Sequence, residues 1–338
     1  MNDKKQIIAR VFSQHKNLYK VKCKGKEGEI SAEVAGKFHF EAVALSDYPA
    51  VGDFVVLDRE DDAGGHAIIQ SVLPRKSVFI RKAAGKSHDN QVVASNIDIV
   101  FLCMALNADF NLRRLERYLA VAWDSGAVPV VVLTKADLCE NIDEKLAEVG
   151  EIAIGVDVLT TTSGEAEKLL KYVGEGKTAA FIGSSGVGKS TLINGLLGEA
   201  KMATKGLRND DKGKHTTRTR EMFELDASGG YVIDTPGIRG LGIENADLAK
   251  TFADLDEMAQ FCKFRSCTHT SEPGCAVLQA IADGEISHQR LESFRKLEKE
   301  AKYSGLNSKQ IEMAKINEIF KGKGEMKNAR NFVKNHKK

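Results

Sequence analysis

Apolar and polar positions alternate through the first seventy residues. Leu18-Tyr-Lys-Val-Lys-Cys23 sets apolar side chains against lysines, and Ile30, Ala32 and Val34, then Phe38 and Phe40, keep a period of two. Asp53-Phe-Val-Val-Leu57 and Ala67-Ile-Ile-Gln-Ser-Val72 follow, and Gly25, Gly28, Gly36, Pro49, Gly52 and Gly64-Gly65 punctuate the runs. A two-residue period is that of a half-buried strand. Five such strands at this spacing predict a small β-barrel over residues 1–73, with the OB-fold as first choice. Lys20, Lys22, Lys24 and Lys26 would give it a basic face, which suits nucleic acid but is also common on any solvent-facing strand. Residues 74–95, rich in Arg and Lys around Gly85, read as a basic interdomain linker.

From residue 96 to 245 the pattern becomes that of an α/β domain. Asp98–Met104 and Pro129–Leu133 are continuous apolar runs, as strands covered on both faces require. Leu112, Leu115, Leu119 and Ala122 recur at helical spacing. The alternation continues with a helix over 143–149, a strand over 154–159, a helix over 165–173, a strand over 179–182, a helix from Lys189 to Leu197 stopped by Gly198, and a strand over 231–233. Strands alternating with helices predict a parallel sheet. Residues 246–338 read as mostly helical and charged, with Leu291, Phe294 and Leu297 on one helical face.

A length of 338 residues fits two or three domains of this kind. No apolar run approaches the roughly 20 residues a membrane helix needs, and Met1–Arg10 lead into no secretory core. Three of the six cysteines cluster beside a histidine, which points to metal rather than disulfides and so to the cytoplasm. The net charge is only +2, but it is unevenly spread. Residues 1–40 carry nine Lys/Arg against four Asp/Glu, and residues 321–338 seven against one. Basic ends around an acidic middle suit a polyanion-binding protein, although a solvated lysine-rich tail has the same composition.

The chemistry sits in three short motifs. Gly183-Ser184-Ser185-Gly186-Val187-Gly188-Lys189-Ser190, followed by Thr191, is a phosphate-binding loop between a strand and a helix. Its amides point at the phosphates, Lys189 adds charge for the β- and γ-phosphates, and Ser190 offers a hydroxyl to Mg²⁺. In Asp234-Thr-Pro-Gly237, Asp234 is placed to hold Mg²⁺ and Gly237 to approach the γ-phosphate. Thr134-Lys135-Ala-Asp137 is placed to read guanine. The Asp137 carboxylate accepts from both N1–H and the exocyclic amine, a donor pair adenine lacks, and the Lys135 stem lies along the base. Thr160, Thr161 and Thr162 are candidates for a second base-contacting loop. The guanine motif precedes the phosphate loop, the reverse of the ordinary GTPase order, so the domain reads as circularly permuted. Farther on, Cys262, Cys267, His269 and Cys275 make a Cys₃His set suited to one structural zinc.

A basic barrel, a permuted GTPase and a Cys₃His module, together with Gly213-Lys-His-Thr-Thr217, closely resemble the ribosome small-subunit-dependent GTPase family (RsgA, also called YjeQ) over nearly the whole chain. The resemblance implies an N-terminal OB-fold, a permuted GTPase domain and a C-terminal, mostly helical zinc-binding domain over 246–338. It also implies GTP hydrolysis stimulated by the small ribosomal subunit, with that subunit and its rRNA as partners, in late subunit maturation. No membrane partner is expected, and the working state is expected to be a monomer. Thr134 departs from the usual Asn, which puts one contact near the base in question. Ile238 stands where many GTPases place a water-ordering Gln, so another group must order the water. The resemblance points to His215 in the switch-like loop, and one of Thr216 and Thr217 would complete the Mg²⁺ shell. The rival readings are a P-loop ATPase and a zinc-dependent rRNA-binding module with weak nucleotide turnover.

Overall fold

The computed structural model describes residues 6–82, 90–198, 220–234, 248–303 and 310–315. The N-terminal barrel is built from β1 (Ile7–His15), β2 (Leu18–Cys23), β3 (Ile30–Val34), β4 (Phe54–Leu57) and β5 (Ala67–Val72). They are ordered β1-β2-β3-β5-β4, with β4 returning to pair with β1, and only the β3–β5 pairing is parallel. This is an OB-like closed barrel, and Val11, Tyr19, Val21, Ala32, Val55 and Ile69 fill its interior.

The strand count matches expectation, but one member differs. Phe38 and Phe40 lie in a short helix, α1 (Gly36–Glu41), rather than a strand. Phe38 packs against Tyr48 beside the barrel while Phe40 points to solvent, so their apparent alternation reflects two sides of one helical turn. The fifth strand is β1, which pairs with β2, β4 and β12 (Glu221–Leu225). Its run from Ala9 to Ser13 is buried on both faces, so no alternation marks it in the sequence. Residues 74–95, expected as an open linker, carry an antiparallel pair, β6 (Val78–Lys82) and β7 (Asn90–Ser95). There Phe79, Val92, Val93 and Ala94 are buried.

The α/β sheet runs β10 (Asp157–Thr161), β9 (Val128–Thr134), β8 (Ile99–Ala105), β11 (Thr178–Gly183) and β13 (Gly230–Asp234), all parallel, with β12 antiparallel at the end. Alternate residues of each strand enter opposite cores. Val100, Leu102 and Met104 face α2 (Leu112–Ser125), whereas Phe101, Cys103 and Ala105 face α4 (Lys189–Leu197). Beyond β9 lies α3 (Ile142–Gly150), and the helix expected over 165–173 is a 3-10 helix over Ala166–Tyr172. The chain enters the sheet at β8, builds outward through β9 and β10, then returns to place β11 on the other side of β8. That reversal opens a crevice at the C-terminal ends of β8 and β11.

The barrel and the sheet are fastened together. One pairing, Ser13 with Glu221, makes a continuous eleven-stranded sheet. Buried Arg10 donates to the Gly52 and Asn96 carbonyls and to Thr178 Oγ1, and stacks near the Phe54 and Tyr231 rings. Asp53 accepts two bonds from Arg75 and one from Ser95. Gly52 has φ +96°, and a Cβ there would lie 2.1 Å from the Ser95 carbonyl oxygen, so this crossing needs glycine.

The C-terminal unit consists of α5 (Ala253–Ala259), α6 (Ala276–Ala282) and α7 (His288–Lys302). It shares an apolar core with the α2 face of the sheet through Leu248, Phe252, Val277 and Leu291. Arg290 on α7 is 4% exposed and bonds to Glu116 on α2, which is fully buried, to both Asp254 oxygens and to the Thr251 carbonyl. Arg117 and Glu300 pair at the rim.

Candidate nucleotide and metal sites

The phosphate loop follows β11 directly. A Cβ on Gly183 would come 2.6 Å from the Cys103 carbonyl, so glycine alone lets β11 leave the sheet this close to β8. Gly186 (φ +75°) and Gly188 (φ +104°) take left-handed conformations that turn the loop and end it as the N-cap of α4. Lys189 reaches back over the loop and donates to the Gly183 and Ser184 carbonyls, at 2.8 and 2.6 Å. Its ammonium thus lies over the cradle into which the α4 N-terminus points, where a phosphate group would meet both. Beneath the loop, the Cys103 thiol is pushed up to about 12 by burial.

Two neighbouring loops hold the cradle. Asp109, after β8, accepts hydrogen bonds from Ser184 and from Arg114 on α2. Burial raises the Asp109 carboxyl, but these two donors outweigh it and leave the group below the ordinary carboxylate range. Thr134, at the end of β9, donates through Oγ1 to the Val187 carbonyl at 2.6 Å. The residue that departs from the usual Asn therefore acts on the phosphate loop, tying the Thr134–Asp137 segment to it.

Immediately after Thr134 the chain turns out of the sheet. Lys135 has φ +58°, uncommon for a side-chain-bearing residue, and starts a short 3-10 turn, Ala136–Leu138. This turn carries Asp137 to an exposed position while Lys135 remains half-buried. Register places Thr161 of β10 opposite Thr134, and the Thr161 hydroxyl is buried without a partner among the described residues. The next loop is closed by Glu165, which accepts from the Thr162 amide. Thr160 and Thr161 therefore lie beside the end of β9, where the Thr134–Asp137 segment begins.

On the other side of the phosphate loop, Asp234 ends β13. Burial pushes its carboxyl up to about 6; Lys189 draws it down and Glu221 adds to the rise, both more weakly. A desolvated carboxylate held near an ammonium and a phosphate cradle is a good seat for a divalent cation. His215, Thr216, Thr217, Gly237 and Ile238 lie outside the described residues.

The cysteine–histidine cluster is compact. All four ligand atoms of Cys262, Cys267, His269 and Cys275 lie within 4.8 Å of one another. Cys262 Sγ is 3.9 Å from Cys275 Sγ and 3.6 Å from His269 Nδ1, and His269 Nδ1 is 3.3 Å from Cys275 Sγ. Tetrahedral zinc with ordinary bond lengths sets these edges at about 3.8 Å (S–S) and 3.6 Å (S–N), so the donor set fits that ion. His269 takes a left-handed φ of +56°, burial holds its imidazole below the ordinary range, and its carbonyl accepts from Arg295 on α7. Cys275 is the N-cap of α6, and Glu272 ties the loop by accepting from the Thr268, Thr270 and Ser271 amides.

The sequence did not flag Asp109, Arg10 or the Arg290–Glu116 pair. Asp109 lies two residues before Asn111, the N-cap of α2, in the loop leaving the first strand of the sheet. That position marks it as rim-facing, but its bond to Ser184 joins residues 75 apart in sequence.

The family model for RsgA GTPases matches residues 72–244, including the segment first read as a linker. The chain is 50% identical over 326 residues to the small ribosomal subunit biogenesis GTPase RsgA 2 of Lactiplantibacillus plantarum, covering 95% of this chain and 91% of that one. It is 40% identical over 325 residues to RsgA of Methanosarcina acetivorans, covering 93% and 85%. The crystal structure of YjeQ from Thermotoga maritima superimposes with a TM-score of 0.65 at 27% identity, over 88% of this chain and 98% of that one. YloQ, described as a circularly permuted GTPase, gives 0.64 at 26% identity, over 88% and 96%. A guanine-type motif at the end of β9, a phosphate loop after β11 and an aspartate ending β13 follow one another in that permuted order here too. The chain is a circularly permuted GTPase and belongs to the RsgA GTPase family.

Proposed function

We propose that this protein binds GTP across the C-terminal edge of its sheet, hydrolyses it to GDP and phosphate, and uses the cycle in late biogenesis of the small ribosomal subunit in the cytoplasm, acting as a monomer. The observation that carries the reading is the Thr134–Val187 hydrogen bond, which ties the segment we read as base-contacting to the phosphate loop. Curated relatives covering most of the chain are named small ribosomal subunit biogenesis GTPases, which supports the choice of partner.

In this reading Asp137 accepts both donors of the guanine edge and the Lys135 stem covers the base. Gly183 to Thr191 surround the phosphates with amides, and Lys189 exchanges its two carbonyl acceptors for phosphate oxygens. Ser190, Asp234 and one of Thr216 and Thr217 hold magnesium, which when bound neutralises charge on the β- and γ-phosphates. Gly237 gives its amide to the γ-phosphate. With Ile238 unable to order water, His215 is the candidate to position the attacking water, acting once the subunit has docked. Cys262, Cys267, His269 and Cys275 hold one structural zinc that fixes the C-terminal surface.

The test is GTP turnover with and without purified small ribosomal subunits. We expect slow basal turnover, clear stimulation by subunits, and loss of the stimulation alone in His215→Ala with GTP binding retained. Unstimulated wild-type turnover contradicts the partner; unchanged stimulation in the variant contradicts the role of His215.

A further inference from the structure

The metal-bearing loop presents two aromatic rings that the fold does not use. Phe261, just before the first cysteine, is 80% exposed, and Phe264 is 44% exposed. Burying such a ring would contribute about 1.5–3 kcal/mol, so exposing two within four residues of an ordered loop calls for a reason outside the fold.

Their positions are fixed. The amides of Phe261 and Cys262 bond to the Met258 and Ala259 carbonyls at the end of α5, and the Cys267 amide bonds to the Phe264 carbonyl, closing a tight turn. The Lys263 amide bonds to the Gly274 carbonyl across the loop. Gly274 has φ +76°, and a Cβ there would sit 3.1 Å from Lys263 Cβ, so glycine leaves room for the lysine stem. Cys262 and Cys267, two members of the compact Cys₃His cluster, lie within and just after the same segment.

The charge around the rings identifies what covers them. Lys263 and Arg265 flank Phe264, both exposed, and neither makes an ion pair among the described residues. The Lys263 ammonium lies 5.8 Å from the Phe264 ring centre. The barrel also exposes apolar side chains, Phe40, Val43 and Leu45, but the lysine there, Lys37, is neutralised by Glu41. Flat rings alternating with cations that have no acidic partner among the described residues match a single-stranded polynucleotide, whose unpaired bases stack on aromatics while its phosphates meet lysine and arginine.

We propose that Phe261–Arg265 forms a platform for unpaired RNA, with Phe261 and Phe264 stacking bases and Lys263 and Arg265 taking the flanking phosphates. This rests on the ribosomal reading above for the identity of the RNA, but the platform itself follows from the loop. A duplex offers no free base faces and fits it poorly.

The test uses the full-length, zinc-loaded protein and a mixed-sequence 12-nucleotide RNA, single-stranded or annealed to its complement. In Phe264→Trp a new indole stands at the platform, read against the parent, whose one tryptophan is Trp123 on α2. The single strand should quench the added emission and the duplex should not. Phe261→Ala with Phe264→Ala should keep zinc content, melting temperature and basal GTP turnover, yet weaken single-strand binding at least tenfold. Lys263→Ala with Arg265→Ala should flatten the salt dependence of log Kd by about 0.7 for each phosphate no longer neutralised. Absence of quenching in Phe264→Trp overturns the proposal. So does unchanged RNA affinity in the Phe261→Ala, Phe264→Ala variant; if subunit stimulation is lost with it, the rings belong to a protein contact. Failure of wild-type stimulation by subunits, with quenching intact, would instead remove the ribosomal reading and leave the platform standing.

Discussion

The two binding centres of this protein are built by opposite means. Four ligands within fourteen residues make the cysteine–histidine cluster, and the geometry they need is supplied by one loop and the start of α6. The nucleotide cleft instead collects Asp109, Thr134, Gly183 to Ser190 and Asp234, each at or just beyond the end of a different strand. The first centre is gathered by one contiguous segment; the second depends on the register of a sheet. Permutation is tolerated by the second for that reason, since loops gathered at a sheet edge keep their places however the strands are joined.

This contrast can be broken most sharply by removing the metal. A structural zinc in a small module contributes roughly 10–16 kcal/mol of metal-dependent folding free energy. Chelation should therefore strip hydrogen-exchange protection from the cluster loop and α6, while β8, β9 and β11 keep theirs and guanine-nucleotide affinity holds within about twofold. Loss of protection in the sheet as well would show that the centres are not separately built.

Arg290 tests the joint between them. It is the main polar tie from α7 to α2, and removing one member of a buried ionic network costs about 3–5 kcal/mol. Arg290→Ala leaves Glu116 buried, with one carboxylate oxygen already lacking a partner among the described residues. Urea unfolding should show a destabilisation of that size, with nucleotide affinity unchanged at concentrations where the variant is folded.

Asp234 gives the cleft its own pH signature. Its carboxyl titrates near 6 in the folded protein, above its ordinary value of 3.8, so between these values the folded chain holds a proton that the unfolded chain has released. Stability of the metal-free protein therefore falls as pH rises from about 4 to 6, by about 3 kcal/mol, and the loss persists above 6. Asp234→Asn removes the penalty. At pH 7.5 the metal-free variant should be more stable than wild type by up to about 3 kcal/mol, and at pH 4 the two should coincide. Denaturant melts at both pH values check this, and a difference that does not shrink at pH 4 contradicts it.

The smallest expected effect is the most specific to the cleft. Thr134→Val keeps the shape but leaves the Val187 carbonyl unmatched, at a cost of about 1–3 kcal/mol. GTP affinity by calorimetry should fall about tenfold, whereas Thr134→Asn, which restores a donor, should bind within about threefold of wild type.

The same contrast explains what could be read before the fold was known. The metal ligands and the phosphate loop are contiguous, and their spacing alone carries their chemistry. The parallel sheet showed in its continuous apolar runs. What stayed hidden was non-local or evenly buried. β1 lacks alternation because three strands surround it, and Phe38–Phe40 mimicked a strand because only two residues of a helical turn are aromatic. The β6–β7 pair was obscured by the basic residues in and beside it, Arg75, Lys76, Arg81, Lys82 and Lys86. Asp109, Arg10 and Arg290 bond to residues as far as 75, 168 and 174 positions away, which no local pattern encodes.

The central claim is that Asp137 reads guanine in a cleft whose phosphate end is Gly183–Ser190. Affinity for GTP and xanthosine triphosphate should be measured in wild type and in Asp137→Asn. Xanthine keeps N1–H but carries a carbonyl where guanine has its amine, so an amide side chain matches xanthine as a carboxylate matches guanine. The account predicts that wild type prefers GTP and that the variant reverses the preference; unchanged GTP affinity in the variant would contradict it.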